Sequence, residues 1–149
     1  MKSIFDPLVC QDIVARIEAL PATAPRQWGK MSPAQMLEHS ARAVEMALGR
    51  GKQEQAWLGK LIGWIFKKPF LGEQPFQKNA PTGPDFVIHD EPNFAQAKSR
   101  LAGLVHELHA SGEAGTDGHV HGFFGALRGA EWGISQYKHL DHHLRQFGA

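Results

Sequence analysis

The sequence predicts an all-α protein, a four-helix bundle whose second and third helices are joined by a long crossover. Three observations predict it. Apolar residues recur at three- and four-residue spacing in four separate stretches. Asp6-Pro7 and Ser32-Pro33 each place a capping side chain before a proline that can occupy the first helical position, where a missing N–H does no harm. Between the second and third stretches lie more than forty residues, and positions 69–93 alone hold five of the nine prolines. That arrangement fits helical bundles with a crossover.

Taken in order, the first helix opens at Asp6 and carries Val9, Ile13, Ile17 and Leu20 inward, until Pro21 and Pro25 stop it. The second opens at Ser32 and runs through Met36, Leu37, Ser40, Ala43, Val44 and Ala47 to the stops at Gly49 and Gly51. The crossover contains an apolar piece, Ala56 to Phe66, closed by Lys67-Lys68-Pro69. Eleven residues interrupted by Lys60 cannot span a bilayer. The expectation is a short extra helix covering the bundle. Trp57 and Trp64 should be buried together, against the bundle's flank or against a second copy of the chain. A partner-binding or membrane-surface helix is the other reading of this piece. Residues 69–93 read as an ordered loop with Phe86-Val87-Ile88 extended. The third helix is expected from about Pro92 to His109, with Phe94, Leu101, Leu104, Val105 and Leu108 inward. A Gly-rich loop follows from Ser111 to Gly125, and the last helix runs from about Ala130 to Phe147. Both flanks of the crossover share one helical pattern, so residues 1–149 read as one domain.

Composition narrows the function. With 42% hydrophobic and 21% charged residues the chain is globular rather than disordered. Sixteen basic residues against fifteen acidic ones give a net charge of +1, which argues against a nucleic-acid surface. The single cysteine, Cys10, forbids an intramolecular disulfide and a zinc–thiolate cluster, and among apolar neighbours it reads as inert. The N-terminus has no long apolar run, so a cytoplasmic protein is expected.

Histidine is the unusual component, with nine in the chain. On a wheel of the last helix, Gly133, Tyr137, Leu140, Leu144 and Phe147 mark the core face. His143 stands about 60° and His139 about 100° to one side of Leu140, on a stripe shared with Trp132 and Gln136. His142 falls nearly opposite the core and should be solvated. His139 and His143 therefore stack one turn apart, and their ring nitrogens can converge on one point. On the second helix His39 sits about 100° from the core centre at Ser40, again at the margin. A lone histidine at such a margin is more often a satisfied core or rim residue than a ligand, and the pair alone reads equally as solvated surface. Together they could hold one divalent transition metal through neutral imidazoles, which suit zinc, nickel, iron or copper better than magnesium or calcium. Three ligands leave a coordination position open to water or substrate. His121, in the His119-Val120-His121 loop, is a weaker candidate for a group lining the site, and His119 weaker still. His89, His106 and His109 read as surface or helix-end residues. Asp141 and Glu38 point toward solvent on the wheels, so neither is assigned as a general base.

Two stretches, Trp28-Gly-Lys-Met-Ser-Pro-Ala-Gln-Met-Leu-Glu-His39 and Glu131-Trp-Gly-Ile-Ser-Gln-Tyr-Lys-His-Leu-Asp-His-His-Leu-Arg-Gln-Phe-Gly148, resemble the DinB/YfiT-like metalloenzyme group, and more narrowly an uncharacterised bacterial branch of it. Pro81-Thr-Gly-Pro-Asp-Phe-Val-Ile88 and His121-Gly-Phe-Phe-Gly125 extend the likeness over the whole chain. The resemblance implies an up-down-down-up bundle with a three-histidine metal site, its ligands falling on His39, His139 and His143. Gly122 and Arg128 stand where that branch usually has Pro and Thr. Characterised relatives of the group include thiol-cofactor-dependent transferases, an isomerase and amide hydrolases, so membership does not fix the reaction.

The expected function is a divalent-metal-dependent enzyme, a hydrolase or a thiol-dependent transferase that uses a low-molecular-weight thiol as cosubstrate. The alternative is a non-catalytic metal-binding or protein-interaction bundle. The expected partner is a small-molecule substrate, with a homodimer left open, and neither nucleic acid nor membrane is expected.

Overall fold

The computed structural model describes every residue except Gln53. Its elements are α1 (Pro7–Ala19), α2 (Pro33–Ala47), α3 (Trp57–Leu71), a 3-10 turn (Pro84–Phe86), α4 (Phe94–Thr116), β1 (Val120–His121), β2 (Gly125–Ala126) and α5 (Gly129–Gln146). The protein is mostly helical, with one small antiparallel hairpin pairing Val120 with Ala126 and His121 with Gly125. No described helix is long and apolar enough to cross a membrane.

Local chemistry sets the helix starts. The Asp6 carboxylate accepts the N–H groups of Leu8 and Val9. Ser32 and Gln35 form a reciprocal capping box, Ser32 Oγ accepting from Gln35 N at 3.1 Å and Gln35 Oε1 from Ser32 N at 3.0 Å. Asn93 caps α4 through Gln96 N. At α5 the cap is Arg128 and the first residue Gly129, and side-chain carboxylates satisfy both amides. Asp117 accepts from Gly129 N at 2.9 Å and Glu131 from Arg128 N at 2.8 Å. An anionic oxygen at a helix N-terminus also meets the positive end of its dipole.

Helices α2 and α1 each pack against α4 and α5, and α4 packs on α5. Between them lie Ile13, Ile17, Leu37, Val44, Leu101, Val105, Leu108, Trp132, Leu140 and Leu144, all buried. Each such side chain contributes about 1.5–3 kcal/mol through burial.

Two expectations are corrected. Helix α4 does not end at His109. It continues to Thr116 through a break at Gly112, whose φ of 62° and ψ of −171° interrupt the helix. A residue without Cβ adopts that conformation readily, so the chain turns there and resumes. The supposed loop from Ser111 thus holds the last turn of α4 and then the hairpin.

The second correction concerns α3. The extra helix exists, and it contacts α5 and β2. It packs, however, through its small residues. A Cβ on Gly59 would stand 2.2 Å from the Phe123 carbonyl oxygen, and one on Gly63 2.5 Å from it. The large side chains point the other way: Trp57 is 73% and Trp64 75% exposed. Burial of the two rings against the bundle's own flank is therefore overturned.

Candidate metal centre

Three histidines from two helices meet. His39 comes from α2, and His139 and His143 from adjacent turns of α5. Ring centroids are 5.0 Å apart for His39–His139, 4.7 Å for His39–His143 and 4.6 Å for His139–His143. One ligand nitrogen from each ring lies within 4.8 Å of the others, so the three could hold a metal ion.

The tautomers follow from the partners. His39 Nδ1–H donates to the Phe86 carbonyl at 2.9 Å, which leaves Nε2 with a free lone pair. His143 Nδ1 lies 2.9 Å from Gln146 Oε1. The Gln146 amide is oriented because its Nε2 donates to the Trp28 carbonyl at 2.9 Å, so Oε1 must face the ring. His143 therefore donates from Nδ1 and also presents a bare Nε2. His139 Nε2 sits 3.1 Å from His39 Nε2. With His39 unable to donate there, His139 supplies the shared proton from Nε2. Its Nδ1 is buried with no hydrogen-bond partner among the described residues.

This donor set could hold a metal ion. Two nitrogens about 2.05 Å from a tetrahedral centre lie about 3.3 Å apart, close to the 3.1 Å observed. Burial is the largest cause lowering the pKa of His39, helped by Arg42 and opposed by the Phe86 bond. Burial and then the neighbouring rings push His139 well below the usual histidine range. His143 is lowered to about 3, again mainly by burial. All three rings are thus neutral at pH 7, the form that ligates. A cation placed among them would compensate the lone pairs that two facing nitrogens otherwise share with one proton.

Other expected residues fall as follows. His142 is not solvated. It is half-buried, with Trp28 at 5.4 Å, Phe76 at 6.1 Å and His143 at 5.1 Å between ring centroids. Connecting segments cover the side of α5 that faces away from the other helices, and a wheel of α5 alone contains no sign of them. Asp141 is likewise tied down, between Arg16 at 2.9 Å and Arg145 at 3.0 Å, and Glu38 pairs with Arg42 and Arg100. Gln136 is buried and donates to the Ala43 carbonyl at 3.1 Å, stitching α5 to α2.

His121 joins an aromatic group beside the cluster, 4.8 Å from Phe124, 5.6 Å from Phe70 and 5.7 Å from Trp132 between centroids. Its Nδ1 accepts the N–H groups of Phe123 and Phe124, and burial lowers its pKa to about 4. His119 closes the end of α2 instead, its Nδ1 donating to the Ala47 carbonyl at 2.9 Å. His89 and His106 are exposed, His109 bonds the Ile4 carbonyl, and Cys10 is buried with its thiol pKa raised by burial.

Sequence reasoning missed Gln146, Trp28 and the Phe86 carbonyl as supports. Gln146 was findable, because three residues beyond His143 on one helix is contact spacing. The carbonyl partners carried no side-chain signal.

No curated protein and no solved structure matches the chain. A family model described as a protein of unknown function, DUF1569, matches residues 8–149, from the first turn of α1 to the last residue. The match contains all three histidines and both carbonyl partners, and by it the chain belongs to the DUF1569 family.

Proposed function

We propose that this protein is a divalent-metal-dependent enzyme, a hydrolase or a thiol-dependent transferase, with His39, His139 and His143 as the protein ligands. The reading includes an up-down-down-up bundle of the DinB/YfiT-like kind, with α1, α2, α4 and α5 as its helices. The observation that carries it is the convergence of three neutral imidazoles, two of them with Nδ1–H fixed by an outside acceptor. Such outside acceptors orient a ligand ring and raise its basicity. A bound divalent ion of the zinc, nickel or iron type would supply a Lewis acid able to lower the pKa of a water or a thiol.

The chain's own residues then have separable tasks. His39 and His143 are held in the ligating tautomer before anything binds. His139 is the adjustable member, since its Nε2 proton must leave or pass to Nδ1 for that nitrogen to ligate. His121 is a hydrogen-bond donor rather than a general base, because two backbone amides occupy its Nδ1 and leave the proton on Nε2. Phe70, Phe76 and Phe124 pack on one another beside His121 and His142, and an apolar part of a substrate would suit them.

Elemental analysis of protein purified without chelators is the first test, followed by a panel of thiol-transfer and amide- or ester-hydrolysis substrates. Near-stoichiometric metal that His39→Ala removes, together with turnover that chelation abolishes, is the expected result. Metal without turnover across the panel would favour the non-catalytic metal-binding alternative. Activity that survives metal removal would refute the mechanism.

A further inference from the structure

The outer face of α3 has no partner among the described residues, although it exposes several large apolar side chains. Trp57, Leu58, Leu61, Trp64 and Ile65 are all exposed, and they lie on one arc of the helix opposite Gly59 and Gly63. Soluble proteins rarely leave a contiguous patch of this kind in water. The helix is firmly mounted. Besides the glycine seam, Gln55 donates to the Phe123 carbonyl at 2.8 Å, Lys67 pairs with Glu131 at 3.0 Å, and Lys138 reaches the last carbonyls of α3, with Gly72 at 2.7 Å. The face is therefore presented outward by a braced element.

Its charge identifies the occupant. Helix α3 carries Lys60, Lys67 and Lys68 and no acidic residue. Lys60 and Lys68 are exposed and have no ion-pair partner among the described residues. Lys68 projects within the apolar arc itself, between Trp64 and Leu61 around the helix. A second copy of the chain docked on this face about a two-fold axis would bring two unpaired Lys68 ammonium groups into an apolar interface, which is costly. An anionic lipid surface accepts the same pattern. The rings and aliphatic side chains enter the boundary between headgroups and acyl chains, tryptophan favours that depth, and lysine stems extend back to the phosphates. At about 22 Å, fifteen helical residues are too short to cross the hydrocarbon layer but suited to lie in its plane.

We propose that α3 is an in-plane docking helix for anionic phospholipid bilayers, which holds the protein at a membrane surface without crossing it. That no described helix is long and apolar enough to cross a membrane does not oppose this. Glu54 and Glu73 flank the helix outside its ends and leave the arc itself free of negative charge.

The test is flotation of the full chain with vesicles of phosphatidylcholine alone and of an equal mixture with phosphatidylglycerol. Sedimentation velocity without lipid and circular dichroism accompany it. The wild type should float with the anionic vesicles only, with a blue shift in tryptophan emission, and high salt should release it. Lys60→Gln with Lys68→Gln should lower partitioning about fivefold per lysine removed. Trp57→Gln with Trp64→Gln should abolish flotation, with the helical spectrum unchanged in both variants. Failure of the folded wild type to float with anionic vesicles would overturn the proposal. So would equal flotation with neutral vesicles, or a lysine variant that binds as well as wild type. A stable dimer that floats with neither vesicle would assign the face to a second copy and would also overturn it. Metal content plays no part in these measurements, so their outcome is independent of the enzymatic reading.

Discussion

Replacing Gln146 by Met tests whether the histidine cluster is a metal centre without touching any ligand. The side chain is buried and makes two bonds of 2.9 Å, accepting from His143 Nδ1 and donating to the Trp28 carbonyl. Methionine keeps similar length and volume and makes neither bond. Two effects should separate. Leaving the Trp28 carbonyl and the His143 N–H unpartnered in a buried place costs about 1–3 kcal/mol of folding stability. For a domain of 149 residues that corresponds to a melting temperature lower by about 3–10 °C. The second effect is on the metal. Losing an acceptor behind a ligating histidine weakens affinity about 10–100-fold, or about 1.4–2.7 kcal/mol. Zinc affinity should be measured by competition with a chromophoric chelator, and melting with and without the ion. The stabilisation that saturating zinc gives the wild type should shrink in the variant by the same amount that affinity falls. A variant that melts lower yet binds zinc as tightly as wild type would show that Gln146 serves packing only and that His143 is not a ligand.

His142→Ala should leave metal content nearly unchanged, whereas His143→Ala should remove most of it; equal losses in elemental analysis would put the phase of α5 in error. Gly29→Ala should act as a weaker copy of the Gln146 variant, because Gly29 has φ +77° and a Cβ there would lie 2.3 Å from Gln146 Nε2. Its zinc affinity should fall at least several-fold, and unchanged affinity would show that the amide can move freely. Metal-free protein should lose stability in acid. His121 and His143 have folded pKa values near 4 and 3, below the unfolded 6.5, so their contribution is complete above about pH 6.5 and declines as pH falls toward the folded values. By pH 5 each should cost about 2 kcal/mol in urea unfolding, and a flat profile between pH 7.5 and 5 would contradict their burial.

The parts of the fold legible in the sequence were those set by contacts within a few residues. Asp6 and Ser32 announced α1 and α2, and both caps form as their side chains allow. The inward stripe of α5 placed His139 and His143 correctly at the edge of the core, since a wheel needs only the helix's own periodicity. What failed required knowledge of distant segments. His142 lies opposite the core, yet the connection before α2 and the crossover bring Trp28 and Phe76 over it. Helix α3 failed for another reason. Its large apolar side chains, Trp57, Leu58, Leu61, Trp64 and Ile65, share an arc that faces away from the bundle, so hydrophobicity pointed the wrong way. Orientation was decided by Gly59 and Gly63, where the backbone of Phe123 approaches too closely to leave room for a Cβ. The end of α4 was obscured by Gly112, which resembles a stop but lets the helix resume.

The cluster joins more of the chain than its ligands suggest. His39 reaches the crossover through the Phe86 carbonyl, and His143 reaches the α1–α2 connection through Gln146 and Trp28. That second link is doubled by the backbone bond of 2.7 Å from Gln27 N to the Gln146 carbonyl. A cation on Nε2 withdraws charge from an imidazole and makes its Nδ1–H a better donor. Binding would therefore tighten the Phe86 and Gln146 bonds together, fastening two connecting segments to α2 and α5. By reciprocity, whatever holds those segments in place raises the affinity for the ion. His139 stands outside this coupling, because its Nδ1 has no partner to tighten against among the described residues. The three histidines are consequently unequal. Two couple the cluster to the surrounding chain, and the third would set how much it costs to exchange a shared proton for a metal.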